Sequence, residues 1–353
     1  MSGDDEASSQ EAARSAGDDE DSSQEAARNA GDDEDSLQEA ATLAAASVAA
    51  RSGGDLGRAL SCAERCHELR VASHGEQHAE VAAALGLIGA ARRRRGELDA
   101  ALAADQRALE IYEHVLGDSH AETATAAGNL SATRRARGEH DAALTLGERA
   151  LAGLRAACGP DDLRTALAWG NLAAVHRARG EHVQAIACGR ELLRIREAVL
   201  GDRQLDTAVA RSTLGSLLAA AGEHAAAAEQ EQAALAIREA LGEARAVLES
   251  LTNLATISRN LGDAEQSLVW QQRALTAQRA LLGEADPATT RSRLYVAYTL
   301  LRLGRRIEAA RVVDEGLRHD PRSAELRQMQ QQVGGAPGFR APAKQRPRGR
   351  GKR

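Results

Sequence analysis

Apolar, small and polar positions recur along this chain at a near-constant interval, and glycines supply the ruler. Gly54, Gly96, Gly138, Gly180 and Gly222 are each 42 residues apart, and Gly262 and Gly304 follow after 40 and 42. Eight residues before each glycine stand Ala46, Ile88, Leu130, Leu172, Leu214, Leu254 and Val296, and seven before it stand Ser47, Gly89, Ser131, Ala173, Gly215, Ala255 and Ala297. Five residues after it come Ala59, Ala101, Ala143, Ala185, Ala227, Ser267 and Ala309. An apolar position beside a small one, answered by a second small one across a turn, describes two helices in close contact. Protein interiors are packed too densely to admit anything larger there. A fixed period of this length makes each repeat one unit that buries its apolar face against its neighbours.

The glycine marks the turn between a helix A and a helix B. Arginines crowd the turn before it, in RRRRGEL (Arg92–Leu98), RRARGEH (Arg134–His140) and HRARGEH (His176–His182). Basic side chains there complement the negative end of the helix dipole, and glycine permits the left-handed cap. A second ladder, Gly75, Gly117, Gly159, Gly201, Gly242 and Gly283, closes helix B. The pattern predicts an all-α fold of about seven antiparallel helix pairs over residues 36–333.

The fourth repeat carries Trp169, Leu172 and Ala173 in helix A and Ala185 in helix B, and the last repeat ends in HDP, with Pro321 in the terminal position. These columns resemble the tetratricopeptide repeat. The longer period, with inter-repeat stretches such as ALEIYEHVLGDSHAETA (Ala108–Ala124), is similar to the kinesin light chain type of that repeat. The resemblance covers 36–333 and implies a right-handed solenoid whose A helices line a concave, peptide-binding groove. The coiled coil by which a kinesin light chain grips its heavy chain has no counterpart in 1–40, where no heptad pattern occurs.

On that reading the groove floor is low, because the position ten residues before each glycine holds Ala44, Gly86, Gly128, Gly170, Ser212, Thr252 and Leu294. Three residues before the glycine, Arg51, Arg93, Arg135, Arg177 and Arg259 point into the same channel and favour an acidic peptide. Nine residues before it stand Asn129, Asn171 and Asn253. A carboxamide both donates and accepts, so these three can hold a peptide backbone whatever its side chains, which resembles the asparagine ladder of some tetratricopeptide proteins. The lysines and asparagines that clamp chaperone C-termini are missing from the corresponding positions. The competing reading of each arginine is a helix end complementing its dipole, worth about 0.3–1 kcal/mol.

Composition removes several other classes. No run of 18 apolar residues suggests a membrane span, and the acidic start does not resemble a secretory or transit peptide, so a cytoplasmic protein is expected. Cys62, Cys66, Cys158 and Cys188 are too few and scattered for a disulfide framework; Cys66 sits at a small, apolar column. His140, His182 and His224 recur in GEH, and His78 and His120 open helices. Successive repeats lie about 10 Å apart, too far for a shared metal ligated at about 2.1 Å, so all five are read as structural. No phosphate loop or zinc-protease motif occurs, so neither an enzyme nor a cofactor is expected. Aromatic residues make up only 2% of the chain, too few for base stacking with nucleic acid.

Charge is distributed unevenly. Residues 1–40 hold 14 Asp and Glu against Arg14 and Arg28, a net −12, and 334–353 hold seven Lys and Arg with no acid, while the body between is close to neutral. The acidic end repeats GDDEASSQEAARSA, GDDEDSSQEAARNA and GDDEDSLQEAATLA, and the basic end is rich in Pro, Gly and Arg. Both compositions predict disordered tails, 1–35 and 334–353. The sequence therefore reads as a non-enzymatic interaction scaffold that holds a partner peptide. A kinesin-light-chain-like cargo adaptor and a regulatory subunit of a bacterial signalling system are the alternatives. A tethered acidic segment next to a basic groove also invites intramolecular contact, since a flexible tether gives an effective concentration on the order of millimolar. Deleting 1–35 is then expected to raise affinity for an acidic peptide at low salt. The gain should fade towards 1 M salt, where the Debye length is about 3 Å. Titrations of both chains at two salt concentrations check this, and equal affinities at low salt would refute it.

Overall fold

The computed structural model describes residues 35–334. The first two acidic repeats, the start of the third, and the basic tail, with the expectations attached to them, lie in residues 1–34 and 335–353, outside the described residues, while the third repeat continues into the first helix. Among the described residues every regular element is a helix. In chain order they are α1 (35–53), α2 (Leu56–His74), α3 (Ala79–Arg95), α4 (Leu98–Leu116), α5 (Ala121–Ala136), α6 (His140–Cys158), α7 (Leu163–Ala178) and α8 (His182–Leu200), followed by α9 (Leu205–Ala220), α10 (His224–Ala240), α11 (Ala244–Asn260), α12 (Ala264–Leu282), α13 (Pro287–Arg302), α14 (Arg306–His319) and α15 (Ala324–Gly334). The odd-numbered helices up to α13 are the A helices of the seven predicted pairs, and α15 follows the last pair. The chain divides into two compact units, one ending at Ile195 and the other beginning at Arg196, with the division inside α8.

The turns follow from the sequence directly. Gly96 has φ 82° and ψ 7°, a left-handed cap that an L side chain adopts only with strain. Its N–H donates to the carbonyl of Arg93, and the N–H of Glu97 reaches back to that of Arg92, so the carbonyls orphaned at the end of α3 are satisfied. The same pair of bonds closes α5, from Gly138 to Arg135 and from Glu139 to Arg134. His78 and His120 are helix N-caps: their Nδ1 atoms accept from the N–H of Glu80 and of Glu122, both at 3.2 Å.

Helices A and B cross at the small columns. Ala59, Ala101, Ala143, Ala185, Ala227, Ser267 and Ala309 are all exposed by 1% or less. Contact there is close enough for a hydroxyl on one helix to reach the main chain of the other. Ser47 Oγ donates to the Ala59 carbonyl at 2.7 Å, Ser131 Oγ to that of Ala143 at 2.6 Å, and Ser267 Oγ to that of Ala255 at 2.8 Å.

A second stitch joins one repeat to the next. Thr123, Thr165, Thr207 and Thr289 are buried near the starts of their A helices, and each Oγ1 donates to the carbonyl of the glycine six residues earlier, at 2.7–2.8 Å. These glycines end the preceding B helices, whose last carbonyls lack helical partners. In the second unit Leu235, Leu251, Leu254 and Ala274 form one apolar cluster. Leu254 has no exposed surface, so Leu254→Ala should lower the stability of this unit by about 2–5 kcal/mol. Urea unfolding monitored by circular dichroism tests it; a loss below about 1 kcal/mol would mean that α11 is held by something other than this cluster.

Candidate functional site

In the first unit the A helices α1, α3, α5 and α7 and the B helices α4 and α6 line a cavity of about 710 Å³. Its lining includes Gly86 and Gly128, read from the sequence as groove positions, together with Ala83, Leu87 and Ala90. Gly86 and Gly128 are small for a reason beyond floor height. A Cβ at Gly86 would lie 3.8 Å from Asn129 Nδ2, and one at Gly128 would lie 3.7 Å from Asn171 Nδ2. Each asparagine amide thus sits over the glycine of the preceding repeat, and both asparagines face the cavity.

The structure brings Arg51, Arg93, Asn129 and Asn171 onto the wall of this one cavity. Arg135 and Arg177 belong to the same unit but are not in its lining. They continue the series electrostatically, since Arg135 lowers the pKa of Arg93, and Arg177 lowers that of Arg135. Asn253 lines a separate cavity of about 570 Å³ in the second unit, with Leu248, Thr252, Leu281 and Leu282. Arg259, also in that unit, is exposed at the end of α11.

Several wall residues were not singled out in the sequence. Arg94 and Arg164 face the cavity, as do Asp105 and Glu122. Two of the four guanidiniums have a carboxylate: Arg93 lies 3.4 Å from Asp105, and Arg164 lies 3.8 Å from Glu122 and 3.3 Å from Asp162. Arg51 and Arg94 have none among the described residues. Burial first, and the charge of Arg94 second, push the Arg51 pKa below its ordinary value. Burial likewise leads for Arg93 and Arg135; at Arg93 Asp105 opposes it more strongly than Arg51 and Arg135 add to it, and at Arg135 Arg177 adds to it. Away from the cavity the arrangement is different. Arg92 pairs with Glu64 at 2.9 Å, Arg134 with Glu139 at 2.6 Å and Arg149 with Glu113 at 2.7 Å.

Asp105 is the unusual group. It is 1% exposed, and its Oδ2 accepts from Thr133 Oγ1 at 2.5 Å and from Arg93 Nη1. Its Oδ1 has no hydrogen-bond partner and lies against Gly89, where an added Cβ would come within 2.1 Å. Burial pushes its pKa up to about 6, against the opposing pull of Thr133 and Arg93.

In the second unit Glu284, Glu315 and His319 bring potential ligand atoms within 4.8 Å of one another. Glu284 already faces the guanidiniums of Arg279 and Arg293, and Glu315 faces Arg279. The donor set is that of an ion-pair network, in which the guanidiniums supply the positive charge. Among the cysteines, Cys66 and Cys188 are buried, and Cys62 and Cys158 are partly so. No helix among the described residues is long and apolar enough to cross a membrane.

The sequence matches the tetratricopeptide repeat over residues 38–113, 80–156, 164–240 and 247–288. These matches span more than half of the chain, which therefore belongs to the tetratricopeptide repeat family. No curated protein matches it. Among solved structures it is similar to BtubC (BKLC) from P. vanneervenii, at 20% identity and TM-score 0.56, over 65% of this chain and 92% of that one. It is similar also to nearly identical repeats assigned to a kinesin light chain of Podosopora anserina, at 17% identity and TM-score 0.50, over 60% of this chain and 97% of that one. A third similarity is to the apo form of RapI, at 12% identity and TM-score 0.62, over 84% and 81% of the two chains. At these identities the likeness is one of fold.

An Asp105 whose folded pKa lies near 6, against about 3.9 for an unperturbed aspartate, makes the folded state bind the proton more tightly than the unfolded one. Its ionisation therefore costs stability as pH rises from about 4 to 6, and the cost is constant above that window. Asp105→Asn, which removes the charge and keeps the shape, should be more stable than the wild type at pH 7.5 by about 1–3 kcal/mol. The difference should shrink as pH falls towards 4. Thermal melts of both proteins at three pH values decide the matter, and a pH-independent difference would show that this charge does not set the stability of the unit.

Proposed function

We propose that this protein is a non-enzymatic scaffold that holds an extended, acidic segment of a partner protein in the groove of its first unit. The family supports a protein or peptide as the partner, because tetratricopeptide repeats are typical of protein interaction scaffolds. The observation that carries the acidic preference is the pair Arg51 and Arg94 on the cavity wall, two guanidiniums without a carboxylate, continued by Arg93, Arg135 and Arg177. Cations that repel one another, as the partly buried Arg51 and Arg93 do with their arginine neighbours, are stabilised when an anion arrives, and a groove of one sign concentrates ligands of the other. Asn129 and Asn171 offer a donor and an acceptor each to the ligand backbone.

Spacing sets the register of such a ligand. Packed helices lie about 8–10 Å apart, and an extended chain advances about 3.3 Å per residue. One repeat therefore meets about three ligand residues, and an acid at every third position meets successive arginines. The acidic 1–34 segment of the same chain is a natural competitor for this surface by its charge. A cargo adaptor like the kinesin light chains is a narrower version of the same reading, supported by the repeat type.

The test uses an acetylated twelve-residue peptide with aspartate at every third position and glycine or alanine between. The double reversal Arg51→Glu, Arg94→Glu should weaken its binding on the order of tenfold or more at low salt, with helicity unchanged. Arg93 is left intact because it holds Asp105. Undiminished affinity in a folded variant would return these arginines to the role of helix-end charges.

A further inference from the structure

The burial of Asp105 is built into the helix register. The position seven residues before the turn glycine faces the position nine residues after it, and at Gly89 and Asp105, as at Ser131 and Gly147, the two share one space. Where helix B brings an acid, helix A brings glycine: Gly89 with Asp105, and Gly215 with Glu231, each acid 1% exposed. At Gly215 an added Cβ would meet the Ala227 carbonyl at 3.1 Å, while the Glu231 carboxylate accepts from Ser212 Oγ at 2.9 Å. In two other repeats helix A carries the larger residue and helix B the glycine, Ser131 with Gly147 and Ala173 with Gly189, and the remaining pairs are Ser47 with Ala63, Ala255 with Gln271 and Ala297 with Val313. A Cβ on Gly147 would come within 3.2 Å of Ser131 Oγ. At Gly89 the missing side chain thus leaves a notch that admits a carboxylate under the groove.

Asp105 uses that notch to hold Arg93. The Nη1 atom of Arg93 donates to Asp105 Oδ2, to the Asn129 carbonyl at 3.1 Å and to Thr133 Oγ1 at 2.8 Å. One corner of the guanidinium is therefore bound to its own repeat and to the next, and Nε and Nη2 have no partner among the described residues. The groups facing Asp105 are Arg93 from α3 and Thr133 from α5; Arg93 in turn feels the charges of Arg51 and Arg135.

We infer that Asp105 is the positioning residue of the groove: it fixes Arg93 with its free edge towards the cavity, and its charge offsets that arginine so that acidic ligands bind more tightly once Asp105 takes up a proton. The inference rests on the peptide-binding reading above. An arriving carboxylate and Asp105 both seek the guanidinium of Arg93 and repel each other, so each ligand bound raises the proton affinity of Asp105. By the reciprocity of linked equilibria, each proton bound then raises the affinity for the ligand. The elevated pKa of Asp105 places this exchange in a mildly acidic range where a ligand aspartate, with an ordinary pKa of about 3.9, keeps its charge.

The experiment measures affinity for the same twelve-residue aspartate peptide at pH 7.5 and 5.5 by calorimetry. The wild type is compared with Gly89→Ala, Asp105→Gly, the pair that the chain itself carries at 173 and 189. The wild type should bind about fourfold more tightly at pH 5.5, from a Coulomb interaction of moderate size across the groove. The double variant should bind equally at both pH values. The histidines of the unit are unchanged between the two proteins, so a slope that they cause survives in both. If the double variant does not fold, Asp105→Asn takes its place, with the same pH-independent affinity expected. A wild type without slope, or a variant with the slope of the wild type, overturns the inference while leaving the groove as a peptide site. Absence of binding by either protein at either pH overturns the peptide-binding reading and this inference together.

Discussion

The close crossing of helix A and helix B is the constraint on which the rest depends. Two helices can bring a serine hydroxyl onto a facing carbonyl, as Ser131 does at 2.6 Å from that of Ala143, only if the residues between them are Ala, Ser or Gly. That requirement explains why a chain this poor in aromatic residues still forms a tightly buried core. Its interior is filled by backbone approach and by single leucines, isoleucines and valines set beside the small columns, and large rings are not needed to fill the gaps. It also determines the size of the site, because the low floor of the groove follows from the same economy of side chains on the A helices.

Much of this was legible in the sequence. The small columns, both glycine ladders and the basic last turns appear in the structure at the positions where the period puts them, since each reports a local event: a crossing, a cap, a dipole. Arg51, Arg93, Asn129 and Asn171 also reach one cavity wall as the offsets imply. Arg135 and Arg177 do not line it, and Asn253 and Arg259 belong to the other unit. An offset gives the face of a helix and leaves the extent of a cavity to the neighbours that enclose it.

What escaped was relational. Asp105 carries no signal on its own helix; it is an acid in an acid-rich chain. Its meaning lies in Gly89, sixteen positions earlier, and the pairing becomes visible only once the register of α3 against α4 is known. Glu231 and Gly215 repeat the association, so a comparison of columns across the turn contains the clue. The threonine stitches were readable by the same means, because Thr123, Thr165, Thr207 and Thr289 share one position in the repeat while their acceptors share another.

The reciprocal notch also constrains the history of such a chain. Repeats copied in tandem begin alike, and converting an alanine-over-glycine crossing into a glycine-over-aspartate one takes two substitutions. Placing the acid first would drive a carboxylate into an existing methyl group, whereas clearing the methyl first leaves only a small void. At the crossing of α3 and α4 the glycine must therefore precede the aspartate, and a lineage that has reached the intermediate with glycine on both sides is open to acquiring charge in its interior.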